Sequence, residues 1–449
     1  MKIIIAGAGE VGFHLSKLLS FESHEIILID QDKDRLLYAD SKLDIKTLQH
    51  DATSILALKE ANVQNSDLFI AVTSSETTNI TACAISKKLG AKRTVARISN
   101  SEFTDNKDEI NFSELGIDEL ISTEELATSE IKLLLEKATF NETHEFEGGK
   151  LTTVAMILSS TAPFVGKTVK DAAANFAGIN FMPIAIKRKN SEDTIIPRGD
   201  TVFKEGDQSY FITLEQGVEE LNRLAARKSK PIKNVLILGG SKIGEKTARD
   251  LCDKSLNIKL IEYNKNRAIE LADLLPNALI IYGDARDVEL LEDENVSDMD
   301  AVVAVTGRSE TNIMSCLMAK SKGVGRTIAL VQNVDYFNLS KNIGIDTLIN
   351  KKLLAANNIF RYIRKGEVLE MTILNDINVE ILEFKPSKNS KITKKKIKDL
   401  KFPRNAIIGG VIRNNTGLIA LGDFQIREDD RVVVCCFPKP ISKVERFFN

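Results

Sequence analysis

The chain has 449 residues, with 61 Lys and Arg against 63 Asp and Glu and a formal net charge of −2 at pH 7. This balance argues against nucleic acid as a partner, because nucleic-acid-binding proteins carry a clear positive excess. No apolar run approaches the roughly 18 residues that cross a bilayer, and a strand beginning at Lys2 leaves no room for a signal peptide, which predicts a cytoplasmic protein. The five cysteines form no C-x-x-C pair and the four histidines form no cluster, so we expect reduced thiols and no metal site.

The first predicted elements are a buried strand over residues 2–6, a glycine-rich turn and a helix over residues 13–19. In this G-x-G-x-x-G pattern, Gly7 permits the tight turn, Gly9 lets backbone N–H groups approach a pyrophosphate, and Gly12 lets the helix pack closely on the strand. The phosphates would meet the helix N-terminus, where free N–H groups and the helix dipole favour negative charge. The pattern predicts a nucleotide cradle.

The second predicted strand, residues 25–29, ends on Asp30. Asp30 follows the glycines at close to the roughly 20 residues where dinucleotide-binding folds place an acid on the adenosine ribose. A carboxylate there accepts from both ribose hydroxyls and repels a 2′-phosphate, which favours NAD or another adenosine nucleotide over NADP. The alternative is a glycine turn and a surface Asp in an α/β domain that binds nothing.

The chain then continues with strands that alternate with helix-length segments, and after these the pattern of predicted secondary structure changes. Short, half-exposed strands replace the alternation of strands and helices. Turn signals separate them at Pro197-Arg198-Gly199-Asp200 and Glu205-Gly206-Asp207. The predicted strands are 68–72, 94–98 and 119–122, followed by a helix over 124–138 and by strands over 151–158, 181–187 and 208–213.

After a basic linker over residues 226–231, the whole pattern starts again. Gly239, Gly244 and Glu262 repeat Gly7, Gly12 and Asp30 at an offset of 232, and Thr306 and Asn312 repeat Thr73 and Asn79 at 233. The second copy adds a helix over 352–365 and strand-like runs at 367–374, 406–413, 421–423 and 428–436. This is an internal duplication.

The predicted fold class is α/β, with two tandem Rossmann-like, doubly wound parallel-sheet domains that are each followed by a small α+β domain. The predicted ranges are 1–123 and 232–350 for the Rossmann-like domains, and 140–227 and 366–449 for the small domains.

This order, twice over, resembles tandem RCK domains and is similar to the peripheral cytoplasmic subunit of the bacterial Trk potassium-uptake system. The resemblance rests on G-A-G-E-V-G, L-I-D, H-D-A-T, A-V-T and V-A-R in the first Rossmann unit, and on I-I-P-R-G-D and E-G-D in the small one. It covers essentially the whole chain. It implies a homotetramer that offers eight domains to an integral membrane potassium channel subunit, with NAD or NADH, or ATP and ADP, as ligands.

The resemblance also implies a binding site in the first unit. The diphosphate cradle would be Gly7, Ala8, Gly9, Glu10 and Val11, ahead of Gly12, with Asp30 on the ribose, Thr73 and Ser74 closing over the nucleotide, and Arg97 meeting the phosphates. Arg97 stands at the carboxyl edge of the sheet, where open α/β folds bind ligands, and its alternative is a surface salt bridge. Asp51 and Ala52 also follow a strand end, and their alternative is a turn cap.

The second unit departs from this pattern. Ser241 replaces the central glycine and Leu330 stands where the first unit has Arg97, and both changes weaken diphosphate binding. A nucleotide site and a purely structural copy both stay open there. The candidate residues are Gly239, Gly240, Ser241, Lys242 and Ile243 in the turn, with Glu262 for the ribose and Thr306 for the closing hydroxyl.

We find no proton donor or acceptor that would make the chain a dehydrogenase, which needs one at the substrate carbonyl. His144, in a Glu-rich segment predicted as a turn, is expected to be solvated. The first hypothesis is a non-enzymatic regulatory subunit that gates a potassium channel on the inner face of the membrane. The alternatives are an NAD-dependent oxidoreductase with a duplicated Rossmann fold, and a regulator of a cation/proton antiporter.

The lysine-rich run over residues 388–401 has two interpretations. It is either a solvated face or a surface that touches anionic lipid headgroups, because clustered lysines near a membrane contribute about 1 kcal/mol each.

Overall fold

The computed structural model describes residues 1–20, 24–100, 102–105, 109–136, 140, 142–175, 180–189, 191, 193–224, 232–254, 256–333, 344–360, 368–373, 377, 379–438 and 441–449. The chain forms two compact units, each built from two separate stretches of sequence. Unit 1 is Met1–Ile131 with Val235–Ile363, and unit 2 is Lys132–Asn234 with Arg364–Asn449. Each unit therefore contains one segment from either side of the predicted linker, which itself lies outside the described residues. The exact ranges of the four domains stay a prediction.

Unit 1 contains two six-stranded parallel sheets. The first has the order β3-β2-β1-β4-β5-β6. Successive strands are added to one side of β1 as far as β3 and to its other side from β4 onward, so the carboxyl ends of β1 and β4 flank the crevice where open α/β sheets bind ligands. The elements of this first Rossmann half are β1 Lys2–Ala6, α1 Glu10–Ser20, β2 Glu25–Asp30, α2 Lys33–Lys42, β3 Lys46–Gln49, α3 Ile55–Glu60, β4 Leu68–Ala71, α4 Glu76–Lys88, β5 Thr94–Ile98, α5 Glu102–Asp105, β6 Glu119–Ser122 and α6 Thr123–Glu136.

The second Rossmann half repeats this topology with the order β14-β13-β12-β15-β16-β17. Both sheets are parallel, as the apolar, non-alternating strand sequences predict, since such strands are covered by helices on both faces. The elements are β12 Asn234–Leu238, α9 Lys242–Cys252, β13 Asn257–Glu262, α10 Lys265–Leu274, β14 Ala278–Tyr282, α11 Val288–Asp293, β15 Ala301–Ala304, α12 Ser309–Ser321, β16 Arg326–Leu330, β17 Thr347–Ile349 and α13 Lys351–Phe360.

Unit 2 contains two five-stranded antiparallel sheets, with orders β10-β9-β11-β8-β7 and β18-β19-β22-β20-β21. Their apolar faces share one core, in which Ile184 and Ile212 of the first small half join Ile407 and Val433 of the second. The elements are β7 Glu142–Phe146, β8 Leu151–Ile157, α7 Val169–Asn175, β9 Phe181–Lys187, β10 Thr194–Ile195, β11 Gln208–Thr213, α8 Glu215–Leu224, β18 Val368–Ile373, β19 Glu380–Phe384, β20 Ala406–Arg413, β21 Thr416–Ile419, β22 Arg431–Cys436 and α14 Ile441–Phe448.

The predicted fold class is confirmed, and two local predictions are corrected. The segment around His144, predicted as a turn, is strand β7, where His144 lies opposite Thr153 and its ring contacts Phe146 at 4.8 Å between centroids. Residues 421–423, predicted as part of a strand, form a turn after β21. Strands β10, β19 and β21 were not among the predicted elements. The predicted ends of two helices, at residues 137–138 and 361–365, lie outside the described residues.

The five cysteines are free thiols. Burial raises the pKa of the Cys316 thiol to about 12 and raises that of Cys83 further, so both stay protonated. Within the described part of the chain, no helix combines the length and apolar character that spanning a membrane requires. The same residues contain no group of three or more metal-ligating side chains.

Candidate nucleotide-binding site

A cavity of about 350 Å³ opens at the carboxyl edge of the first Rossmann sheet. We call it the first cavity. Most of the residues predicted for the first unit line it, namely Gly7, Gly9, Glu10, Val11, Asp30, Ala52, Thr73, Ser74 and Arg97. Three predicted residues, Ala8, Gly12 and Asp51, do not line it. The lining also includes His50, the first residue of the H-D-A-T motif, together with Gln31, Arg35, Ser75, Thr78 and Lys352, which the sequence patterns did not single out.

The three glycines of the first turn are there for different reasons. Gly7 has a φ of +111°, and a Cβ on it would lie 2.9 Å from the Thr73 nitrogen; a Cβ on Gly12 would lie 1.8 Å from the Gly7 oxygen. Folding therefore requires both residues to be glycine. A Cβ on Gly9, in contrast, would meet only Arg35 Nη1 at 3.9 Å. The space in front of Gly9 is open, which is what close approach of a ligand to the backbone needs.

Asp30 joins the glycine turn to the end of β2. Its Oδ2 accepts a hydrogen bond from the Ala8 N–H at 2.5 Å, and its Oδ1 accepts one from the Asp32 N–H at 2.9 Å. Each carboxylate oxygen has further acceptor capacity toward the cavity. Asp30 can therefore accept from ribose hydroxyls while it positions the turn. Ala8 contributes by this hydrogen bond, since its side chain is buried.

Asp51 stabilises the loop after β3 and stays outside the cavity. Its Oδ1 accepts from the Thr53 N–H at 2.7 Å and from the Thr53 hydroxyl at 2.6 Å. These hydrogen bonds lower the pKa of Asp51. The structure thus gives Asp51 the geometry of a turn cap, the alternative to its predicted place at the nucleotide.

A buried asparagine fixes the loop that follows β4. Asn79 accepts from the Thr73 N–H at 2.9 Å and from the Thr73 hydroxyl at 2.7 Å, and it donates to the Thr73 carbonyl at 3.2 Å and to the Arg97 carbonyl at 2.8 Å. The Asn79 amide therefore links the carboxyl ends of β4 and β5. Because the Thr73 hydroxyl is engaged within this loop, the groups it leaves for a ligand are those of the neighbouring Ser74 and Ser75, which line the cavity.

Arg97 supplies the cavity with a cation that forms no ion pair with any residue the structure describes. Its Nε is enclosed and has no hydrogen-bond partner among the described residues. A buried guanidinium N–H without a partner is costly, and an anionic ligand would relieve that cost. Arg35, the other arginine of the lining, pairs with Asp32 at 3.2 Å.

Lys352 reaches the first cavity from the other half of unit 1. It lies on α13, and its Nζ contacts Glu10 Oε2 at 2.5 Å, at the start of α1. Neighbouring ion pairs also join the two halves, with Lys351 on Glu124 and Lys246 on Glu125, both at 3.0 Å. No local sequence pattern identifies Lys352, because its position depends on the packing of one repeat against the other.

The second Rossmann half has a larger cavity of about 710 Å³ at the equivalent edge, which we call the second cavity. Of the predicted residues, Gly239, Gly240, Ser241, Glu262 and Thr306 line it, whereas Lys242 and Ile243 do not. Lys242 instead donates from Nζ to the Ser99 carbonyl of the first half at 3.2 Å. Ile243 is buried.

The substitution of Ser241 for Gly9 changes the chemistry of the turn. The Ser241 hydroxyl donates to the Val305 carbonyl at 3.0 Å and accepts from the Gly244 N–H at 3.4 Å, so it caps α9. A protein hydroxyl thus stands at the helix N-terminus, where the first half leaves space for a phosphate. Leu330 is buried in place of Arg97. Both features disfavour a diphosphate in the second cavity.

Other parts of the second half reproduce the first. Glu262 accepts from the Gly240 N–H at 2.7 Å and the Asn264 N–H at 2.8 Å, as Asp30 does in its own turn. Asn312 accepts from the Thr306 N–H and hydroxyl at 3.0 and 2.6 Å. Three arginines missed by the sequence patterns, Arg267, Arg286 and Arg308, also line this cavity. Hydrogen bonds from Arg286 lower the pKa of Asp284 to about 2, so these two charges cancel.

Comparison with known proteins extends over the whole chain. The TrkA-N domain model matches residues 3–123 and 235–351, and the TrkA-C domain model matches residues 154–226 and 381–449. The chain is 32% identical to the Trk system potassium uptake protein TrkA homolog 1 of Methanosarcina mazei, with all of both chains covered. It is 31% identical to the Trk system potassium uptake protein TrkA of Halomonas elongata and 32% identical to that of Haemophilus influenzae, each covering all of this chain and 99% of the relative.

Solved structures share the fold at low sequence identity. The GsuK RCK domain has a TM-score of 0.61 at 15% identity, covering all of this chain and 94% of that one. The GsuK channel bound to NAD also has a TM-score of 0.61, at 16% identity, covering all of this chain and 78% of that one.

Proposed function

This chain belongs to the TrkA family of tandem TrkA-N and TrkA-C domains, and from that premise we propose that it is the nucleotide-binding regulatory subunit of a membrane potassium-uptake system. The full-length relatives carry the name potassium uptake protein. A duplicated nucleotide-binding fold with no membrane-spanning helix among its described residues suits a subunit that acts on a membrane partner rather than one that conducts ions itself.

The observation that carries the nucleotide proposal is the first cavity. The absence of a side chain at Gly9 leaves open space at the N-terminus of α1, although the fold could accommodate a Cβ there. Arg97 presents an enclosed Nε–H that has no hydrogen-bond partner among the described residues. These two features fit a diphosphate, and Asp30 fits the adenosine ribose. NAD or NADH, and ADP or ATP, share this adenosine diphosphate. The Asp30 carboxylate disfavours the 2′-phosphate of NADP.

The regulatory mechanism is a shift between conformations. A ligand changes such an equilibrium only by binding one state more tightly than the other, with coupling free energies of about 1 to 3 kcal/mol. Lys352 and Glu10 give unit 1 a physical route for this coupling, because a nucleotide bound at the start of α1 alters the field at an ion pair that joins the two Rossmann halves. We propose that homotetramers transmit this change to an integral membrane potassium channel subunit of the Trk type, at the inner face of the cell membrane.

Potassium uptake tests the proposal in cells that lack the chain and any redundant potassium system. At low external potassium, we expect potassium uptake to fall in these cells and the wild-type chain to restore it. The variant Arg97→Leu copies Leu330 of the second half, and we expect it to change how nucleotide regulates potassium uptake. Arg97→Lys keeps a cation and serves as the matched control. Unchanged uptake in the deletion strain would contradict the proposal and would favour an antiporter regulator or an enzyme.

The oxidoreductase alternative has a separate readout. A dehydrogenase changes NADH absorbance when its substrate is added, whereas a regulatory subunit binds NADH without consuming it. We expect constant absorbance across candidate carbonyl substrates, and substrate-dependent turnover would replace the regulatory proposal.

A further inference from the structure

A strongly basic surface in the second small half remains without a function. We define the basic patch as the cations of residues 388–404, all of them exposed: Lys388, Lys391, Lys394, Lys395, Lys396, Lys398, Lys401 and Arg404. The only acid in this segment is Asp399, so the segment carries a formal charge of +7 in a chain whose total is −2. The rest of the chain is therefore net negative, and the positive charge is concentrated at one place.

The backbone holds this segment in a defined shape. It contains two short 3-10 helices, Lys391–Thr393 and Ile397–Asp399, and the Ile392 side chain between the lysines is fully buried. The Ile397 N–H donates to the Phe424 carbonyl at 3.0 Å, and the Lys398 N–H donates to the Gly422 carbonyl at 2.8 Å. The lysines are therefore fixed near one another, although their mutual repulsion opposes this arrangement.

The first small half provides an internal comparison. There the Val169 N–H donates to the Thr201 carbonyl and the Lys170 N–H to the Gly199 carbonyl, both at 2.9 Å, in the same arrangement as Ile397 and Lys398. The corresponding residues 160–176 contain two lysines and one aspartate, a formal charge of +1. The same pair of backbone hydrogen bonds thus forms without the extra cations. Folding does not require the charge of the basic patch, which points to a partner.

Charges around the patch neutralise only part of it. Asp423 pairs with Lys398 at 2.6 Å and with Lys396 at 3.5 Å, and Glu428 accepts from the Asn389 N–H at 2.8 Å. Arg198 of the first small half adds another cation at the edge, since its Nη2 donates to the Arg404 carbonyl at 2.7 Å. Lys394, Lys395 and Lys401 have no ion-pair partner in the described part of the chain.

We propose that the basic patch docks on an anionic phospholipid surface. The patch consists of lysines with a single arginine, and lysine is a compact point charge suited to diffuse attraction by many headgroups, whereas docking on carboxylates favours the planar fork of arginine. Leu421, which is 47% exposed, directly precedes Gly422, whose carbonyl accepts from the Lys398 N–H, and it gives the patch an apolar side chain that can enter the headgroup region. The inference rests on the proposed function, which places the chain next to a membrane.

The test is sedimentation of the full chain with vesicles that contain no protein. We expect binding to vesicles rich in phosphatidylglycerol and none to pure phosphatidylcholine. The triple variant K394Q/K395Q/K401Q should bind the anionic vesicles about a hundredfold more weakly, because each lysine near such a surface contributes roughly a factor of five. K394R/K395R/K401R keeps the charge and should bind like wild type. K42Q/K46Q/K59Q changes the net charge equally at exposed lysines elsewhere and should also bind like wild type.

Three results would overturn the lipid proposal. The first is equal binding of wild type to neutral and anionic vesicles. The second is equal binding of the K394Q/K395Q/K401Q variant and wild type to anionic vesicles. The third is binding that appears only when the membrane partner is present, which would indicate that the basic patch docks on an acidic protein surface. Since the vesicles contain no transporter and no nucleotide, failure of this test leaves the proposed function standing. Loss of nucleotide binding or of potassium uptake would likewise leave the vesicle result standing.

Discussion

Gly9 is the residue at which folding and binding make different demands. Its Cβ position is open, and Ser241 shows that a serine is accommodated at the equivalent position of the same fold. We therefore expect Gly9→Ser to keep the stability of wild type while its hydroxyl occupies the phosphate position. Affinity for NADH and ADP should fall at least about tenfold, equivalent to about 1.4 kcal/mol. Calorimetric titration measures the affinity, and urea unfolding measures the stability.

Gly12→Ser is the matched control for this experiment. Because a Cβ there would collide with the Gly7 oxygen, this variant should lose stability as well as binding. Full nucleotide affinity in Gly9→Ser would show that the open space at Gly9 is not a phosphate site.

His14, on the first helix of the cradle, makes stability depend on pH. Burial, with a smaller contribution from the Lys17 charge, lowers the pKa of His14 to about 4 from an ordinary value of 6.5. Between these two values the unfolded chain binds a proton that the folded chain does not bind, so the free energy of unfolding falls as the pH drops from 6.5 toward 4. His14→Gln should reduce the change in the urea midpoint of unfolding between pH 6.5 and pH 4. Parallel pH profiles of variant and wild type would contradict the assignment.

At the scale of elements, Asn79 and Asn312 are the clamps that join neighbouring strand ends. Each amide makes four hydrogen bonds to the loop after one strand and to the end of the next. Removing four such bonds and leaving buried backbone groups without partners should cost about 3 kcal/mol in either half. Asn79→Ala should also lower nucleotide affinity, whereas Asn312→Ala should lower stability alone. Equal effects of the two variants on affinity would place nucleotides in both halves.

The contact between α1 and α13 predicts an electrostatic effect on binding. Lys352→Gln removes a cation from the first cavity and should weaken ADP binding severalfold, while Glu10→Gln removes an anion from the phosphate end and should strengthen it. These changes correspond to less than about 1 kcal/mol each, because the Glu10 side chain is exposed to solvent. Calorimetry at low and high salt measures both, and affinity changes of the opposite sign would exclude phosphates at this end of the cavity.

The elements differ in how far sequence alone predicts them. The parallel sheets and the glycine turn follow from local patterns, because buried strands and tight turns constrain residue type position by position. Strand β7 was missed since Glu142–Phe146 alternates weakly and carries two glutamates. Lys352, Arg286 and Arg308 were missed because their proximity to a cavity arises from packing of distant segments. The different roles of Gly7 and Gly9 follow from the sequence pattern, and the atoms around each Cβ agree with them.

For the whole molecule, duplication followed by divergence explains the organisation. The two Rossmann halves keep the same sheet order and the same asparagine clamp. The second half, however, has Ser241 where the first has the open Gly9, and buried Leu330 where the first has the cationic Arg97. The two small halves keep the same pair of backbone hydrogen bonds, yet only the second carries the basic patch. We infer that one copy of each pair acquired a binding surface and that the other copy serves as a structural partner.

The most direct test of this account is calorimetric titration of NADH and of ADP into wild type, Asp30→Ala and Glu262→Ala. The two variants are matched, because each removes a carboxylate that accepts two backbone N–H groups at the glycine turn of its own half. We expect one principal site per chain in wild type, a loss of up to about 3 kcal/mol of binding free energy in Asp30→Ala, and near wild-type affinity in Glu262→Ala. The reverse ranking, or two equal sites, would contradict the assignment of the first cavity as the regulatory nucleotide site.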